Sequence, residues 1–310
     1  MEEEKKQEAP QESVKKREAG MMCCTGVQGV GKTYQNMHVI ANYVKDKPES
    51  RVKGRKCLIF DTNGEYTRDQ FEKNGIPNFN IKTIGMKDVE AWSRSPLVEC
   101  RRIDAKHLGI KEKQRAMQYI LKVYLNGMVV IEDINTYIIS VTFMEEIVGG
   151  IVNLRHRAVD VLISYQSLRP VEPRIFQNSR WIRLHYQSDS IMDIKGKVPN
   201  LTLFRIAQLL VNARYFAGDE RFFVYIYSFQ NKIQGAFKKE EFLDACKKYL
   251  NSNKKYIKEY QDMNECSKEQ ALIGQSNLYY NQYYGNADKT SSDTGKTSSG
   301  KQQPDKTKNK

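Results

Sequence analysis

Eight residues near the start of the chain, Gly26-Val27-Gln28-Gly29-Val30-Gly31-Lys32-Thr33, carry the spacing G-x-x-x-x-G-K-[ST]. The pattern reads as a phosphate-cradling P-loop. Gly26 and Gly31 open backbone angles closed to residues with a Cβ, so the N–H groups of this run turn inward around an anion. Lys32 reaches the β- and γ-phosphates, and Thr33 offers its hydroxyl to Mg²⁺. The following helix points its N-terminus at the charge. Such a loop must join a buried strand to a helix. Met21-Met22-Cys23-Cys24 supplies the apolar strand, and residues 33–44 place Met37, Ile40, Ala41 and Val44 on one helical face. The expectation is a site for ATP with Mg²⁺.

The second landmark is Met128-Val129-Val130-Ile131-Glu132-Asp133, an apolar strand ending in two acids. Downstream of a P-loop this reads as the Walker B strand, expected to lie directly beside the P-loop strand and to deliver a carboxylate to the metal. The second acid polarises the attacking water. The usual order is Asp then Glu, and here it is reversed. Position assigns Glu132 to the metal and Asp133 to the water, but the inversion leaves that division open. A third strand, residues 159–166, ends in Gln166, whose amide is placed to sense the γ-phosphate or simply to finish a turn. His185 sits between apolar neighbours in a further strand and reads as a packed residue.

Between these landmarks strands and helices alternate, which implies a mostly parallel central sheet flanked by helices. The second strand ends at Asp61 and runs into Thr62-Asn63-Gly64-Glu65-Tyr66. The reading divides the chain into a charged disordered arm (1–18), a P-loop ATPase domain (19–264) with a small insert at about 67–105, and a Tyr-containing segment with a disordered polar tail (265–310). Residues 106–124 suit an amphipathic helix on Ile110, Ala116, Ile120, Leu121 and Tyr124. Residues 221–229 suit a strand, and residues 238–260 a single helix. The pairs Tyr279-Tyr280 and Tyr283-Tyr284 suit either stacked bases or a packed patch.

The 310 residues carry a net charge of +13, which points to a polyanionic partner, nucleic acid first and an acidic membrane surface second. No apolar run approaches the roughly 18 to 20 residues of a membrane span, and Met1-Glu2-Glu3-Glu4-Lys5-Lys6 lacks the apolar core of a signal peptide. The expectation is a soluble, cytoplasmic protein, in the host cytoplasm if viral. The 6 cysteines form no C-x-x-C pair and the 4 histidines no ligand spacing, so a zinc module or disulfide scaffold is not indicated. Asn231-Lys232 is followed by Ile233-Gln234, which lacks the Asp that would read guanine.

Asp61-Thr62-Asn63-Gly64-Glu65-Tyr66 resembles the D-P-x-G-E-Y element of the HerA/FtsK superfamily of ring-forming DNA-pumping ATPases. Arg155-His156-Arg157, the strand ending at Gln166, Leu168-Arg169-Pro170 and Phe176-Gln177-Asn178 together resemble that superfamily's sensor region. Thr62 departs from the usual Pro. The resemblance spans about residues 20–187 and implies a RecA/HerA-like P-loop NTPase. It adds Asp61 and Glu65 to the nucleotide site. It also implies a homo-oligomeric ring in which Arg155 or Arg157 enters the neighbouring subunit's site as an arginine finger. DNA would be gripped by its backbone without sequence reading, with a capsid or transfer machinery as a further partner. Viral genome-packaging and mobile-element motors match this size. The alternatives are a Zot-like virion assembly or secretion ATPase, and a nucleotide-binding scaffold with little turnover.

Overall fold

The computed structural model describes residues 19–50, 52–138 and 141–285. The expectations placed on the arm 1–18 and on the tail after residue 285 lie outside the described residues. The chain begins with β1 (Met21–Thr25), α1 (Lys32–Val44), β2 (Cys57–Asp61) and α2 (Arg68–Lys73). It continues through β3 (Ile81–Thr83), α3 (Val89–Arg94), β4 (Cys100–Asp104) and α4 (Ile110–Val123). Next come β5 (Gly127–Ile131), α5 (Val141–Asn153), β6 (Val159–Tyr165) and α6 (Pro173–Asn178). Then follow β7 (Ser179–Leu184), α7 (Leu201–Phe216) and the short strands β8 (Val224–Tyr227) and β9 (Lys232–Gly235). Helices α8 (Lys239–Ser252), α9 (Lys254–Asn264) and α10 (Lys268–Tyr283) complete it.

The nine strands of the described residues join one sheet in the order β3-β4-β2-β5-β6-β1-β7-β8-β9. Pairing is parallel from β3 to β7 and antiparallel at β7–β8 and β8–β9. The central strands read as unbroken apolar runs because both of their faces are buried, as a helix-covered parallel sheet requires. Period-two alternation divides β2 between two cores. Cys57 and Ile59 pack with Met37 and Ile40 under α1, whereas Leu58 and Phe60 join the larger cluster beneath α4, α5, α7 and α8. Each fully buried Leu, Ile or Phe side chain contributes about 1.5–3 kcal/mol.

Several expectations change. The sequence reading sets β5 directly beside β1, but the structure inserts β6 between them. Residues 67–105 are no insert in space, because β4 pairs with β2 and β3 with β4, extending the same sheet. The buried stripe of α1 contains Asn36 with Met37 and Ile40, while Ala41 and Val44 are half-buried. Helix α4 starts only at Ile110, where Gly109 N–H donates to the Glu112 carboxylate at 2.8 Å. That leaves Ile110 exposed.

The helix expected over 238–260 breaks at Asn253, whose side-chain amide donates to Tyr249 O at 2.8 Å in place of the continuing backbone. Only residues 224–227 of the run 221–229 pair as a strand. Tyr279, Tyr280 and Tyr283 are buried in the core cluster, with Tyr280 edge-on to Phe242 of α8. They form the packed patch and present no rings to bases. Among the described residues no helix is long and apolar enough to cross a membrane.

Candidate active site

The loop between β1 and α1 takes its shape from three glycines with two different jobs. Gly29 and Gly31 hold φ of 88° and 83°, the left-handed region in which a Cβ is strained. Gly26 does not share that conformation, contrary to the sequence reading. Its constraint is space: a Cβ there would lie 2.7 Å from His185 Cβ and 2.9 Å from Val30 Cγ2. The loop is tied to both neighbouring strands. Gly26 N–H donates to Tyr165 O at 3.3 Å, and Val27 N–H donates to Tyr186 O at 3.0 Å. Lys32 Nζ reaches back across the loop to Gly26 O at 2.6 Å and Val27 O at 2.8 Å. The first turn of α1 carries no acidic residue and its N-cap supplies no side-chain bond. Its N–H groups and positive dipole end therefore face the cradle.

Three more strand ends converge here. After β2, the Asp61 carboxylate accepts from the N–H groups of Gly64, Glu65 and Tyr66 at 2.8, 3.1 and 3.0 Å, and pairs with Arg102 at 2.9 Å. Asp61 thus folds the 62–66 turn and aims the residues after it. Glu65 accepts from Thr33 Oγ1 at 2.9 Å, and Tyr66 turns inward. After β5, Glu132 is buried and accepts from Asn36 Nδ2 at 2.6 Å and from the Tyr66 hydroxyl. Burial pushes its carboxyl above the ordinary value of 4.5, and the bonds from Tyr66 and Asn36 oppose that rise. Asp133 takes a left-handed conformation at φ 44°, a strained position for a residue with a Cβ. Its Oδ2 accepts from Asn63 Nδ2 at 3.1 Å and from Gln166 Nε2, at the end of β6, at 3.0 Å.

Beneath the loop lies a buried polar network that the sequence reading missed. Asn36 Nδ2 also donates to Ser164 Oγ at 3.0 Å, and its Oδ1 accepts from Arg183. Arg183 is fully buried and reaches Cys24 Sγ at 3.1 Å and Lys32 O at 3.3 Å. The one available signal was Asn36 itself, a polar side chain three residues after Thr33 on the inward stripe. His185 is buried against Phe223, with ring centroids 5.1 Å apart. Burial, with Arg183 and Lys32 nearby, holds its pKa well below 6.5, as suits a packed neutral ring.

The arginines separate. Arg157 Nη1 donates to Leu121 O at 2.9 Å and to Lys122 O, closing the end of α4. It precedes β6, so it sits at the sheet end opposite the P-loop, and the structure does not bring it to its own site. The Arg155 side chain lies outside the described residues. Arg221, which the sequence reading placed in a strand, instead lies against the P-loop. Its Cγ is 3.6 Å from the position a Cβ on Gly31 would take, and its guanidinium is 5.8 Å from the centre of the Tyr34 ring.

Strand order and loop geometry together define a P-loop α/β fold with β6, the strand ending at Gln166, between the P-loop strand and the strand bearing the acids. No family model and no curated protein sequence matches the chain. Among solved structures it is similar to the genome packaging NTPase of Sulfolobus turreted icosahedral virus 2 in complex with AMP. That match has 13% identity over 71% of this chain and 97% of that one, with a TM-score of 0.45. The DNA-packaging ATPase of Sulfolobus turreted icosahedral virus matches at 12% identity over 69% and 95%, with a TM-score of 0.44. The N-terminal domain of zonular occludens toxin from Neisseria meningitidis matches at 13% identity over 54% and 76%, with a TM-score of 0.29.

Proposed function

We propose that this chain is a Mg²⁺-dependent ATPase that drives DNA movement for a virus or mobile element, working as a ring. The observation that carries the reading is convergence. Four strand ends bring Thr33, Glu65, Glu132, Asp133 and Gln166 around one glycine-shaped anion cradle. Among the described residues no group of three or more His, Cys, Asp or Glu is arranged to hold a metal. Mg²⁺ relies on phosphate oxygens, water and one or two protein ligands. Thr33 and Glu132 are the residues that would hold the ion. The chemistry supplied by a bound Mg²⁺ would be neutralisation of the charge growing on the phosphates.

The residues then divide the work. Lys32 exchanges its two carbonyl partners for phosphate oxygens. Thr33 gives up its bond to Glu65 and frees that carboxylate. Both amides that hold Asp133 address Oδ2, which leaves Oδ1 to orient the attacking water and take its proton. Gln166 bridges Asp133 and the phosphate side, so its amide is the element that registers loss of the γ-phosphate. The transition-state charge is completed by an arginine from the neighbouring subunit. Arg155 is the proposed residue, since Arg157 must first break two carbonyl bonds. The net charge of +13 supports backbone contacts with DNA that weaken as salt rises.

The test is the ATPase rate of the purified protein with and without single- and double-stranded DNA at two salt concentrations. Stimulation that fades with salt supports the motor, and turnover indifferent to DNA refutes that part and leaves an assembly ATPase. Lys32→Ala should abolish turnover, and an unchanged rate would sink the site assignment.

A further inference from the structure

At the other end of the sheet, β7 and β8 present an unusual face. Period two sends Ile182, Val224 and Ile226 into the core beneath α7. The opposite face carries Trp181, Tyr225 and Tyr227, all partly exposed, and, towards the P-loop, the buried Arg183 across from Tyr225. A one-sided antiparallel sheet normally turns polar residues to water. Here Trp181 stands directly across from Tyr227 in the register. Gly20 makes room for that indole, since a Cβ on it would lie 2.8 Å from the Trp181 ring. The Arg180 guanidinium lies 5.5 Å from the centre of the Trp181 ring.

Two cavities open on this face. One of about 570 Å³ lies between the sheet and the back of α1, where Tyr43, Lys45 and Lys47 help to line it. The other, of about 370 Å³, is lined by Arg180, Phe229 and Gln230. Trp181 and Tyr227 line both cavities, so the pair forms the partition of one continuous aromatic strip. Phe229 extends the strip and is 65% exposed. The charged groups lining it are cationic except Asp160. That carboxylate is consumed by Arg55 at 2.7 Å, the Tyr43 hydroxyl at 2.6 Å and Gly20 N–H at 2.7 Å.

We propose that the Trp181–Tyr227 face binds single-stranded nucleic acid, with bases stacked on the rings and phosphates met by Lys45, Lys47 and Arg180. Flat rings beside a cationic rim are the chemistry that grips unpaired bases without reading sequence. A duplex keeps its base faces stacked inside and presents only phosphates and groove edges, so it leaves these depressions unfilled. The surface lies at the strand ends remote from the P-loop, and the proposal does not rest on ATP hydrolysis.

The chain has 2 tryptophans, and Trp92 is only 4% exposed, which makes intrinsic fluorescence a reporter of Trp181. Titration of the nucleotide-free protein with an oligothymidylate of about 15 nucleotides should quench that emission saturably, within the site sizes such surfaces use. Trp181→Phe should abolish the quench while its far-ultraviolet circular dichroism and thermal unfolding stay those of the unsubstituted protein, which is the control for folding. Trp181→Ala and Tyr227→Ala should each weaken binding by about 5- to 100-fold. Unchanged affinity in the Trp181→Ala/Tyr227→Ala protein overturns the proposal. So does binding without quench, or equal affinity for a duplex of the same length. Quench that rises with protein concentration alone would assign the face to a second copy of the chain and overturn it too.

Discussion

Replacing Asn36 by Ala removes the hub beneath the P-loop. The side chain bridges four elements, and two of its partners are charged groups buried to 3% exposure or less, Glu132 and Arg183. A hydrogen bond to a charged group contributes about 1.5–3 kcal/mol. Leaving a buried charge short of its partner costs about 3–5 kcal/mol. The two losses overlap in one network, so we expect Asn36→Ala to destabilise the fold by about 3–5 kcal/mol and to lower kcat as Glu132 loses its fixed orientation. Denaturant unfolding at equilibrium measures the first and steady-state hydrolysis the second. Arg183→Met, an apolar side chain of similar length, removes the charge that depends on Asn36. The double variant should then cost less than the sum of the singles by at least about 1.5 kcal/mol, because both report one network. A single-variant cost below about 1 kcal/mol, or additive singles, refutes the claim that Asn36 joins these charges.

Three other outcomes follow from the same geometry. Gly26→Ala should abolish nucleotide binding by forcing His185 and Val30 from the loop. Gly29→Ala meets nothing within 4 Å and pays only the left-handed strain of about 1–2 kcal/mol, so equal damage from both would contradict the spatial role of Gly26. His185 is held neutral when folded, below its ordinary 6.5. Its contribution to stability is present above pH 6.5 and lost as pH falls towards the folded value, at about 1.4 kcal/mol per pH unit. His185→Phe should flatten the unfolding free energy over that acid range, and an unaltered slope would discard His185 as its source. Finally, inactive Arg155→Ala subunits mixed with inactive Lys32→Ala subunits should recover part of the ATPase rate if the arginine acts across an interface. No recovery at any ratio would remove Arg155 from that role.

Features carried by contiguous residues are legible in the sequence alone. Gly26 to Thr33 is a local backbone device, and its spacing by itself specifies a strand, a cradle and a helix. The runs ending at Asp61, at Glu132-Asp133 and at Gln166 are apolar because both sheet faces are covered, so strands, helices and the α/β class follow from local periodicity. Strand neighbours do not. A strand buried on both faces carries no mark of which strand lies beside it, and only the packed sheet put β6 between β1 and β5 and Gln166 against Asp133. Tertiary packing likewise brought Arg183, 147 residues away, to Asn36. It laid Arg221 against Gly31, turned Arg157 to the far end of the sheet and buried the tyrosines of α10. The physical reason is common to all of these. Local backbone preference acts over a few residues, whereas desolvation and hydrogen-bond satisfaction of a buried polar group depend on whatever distant chain the folded core brings alongside.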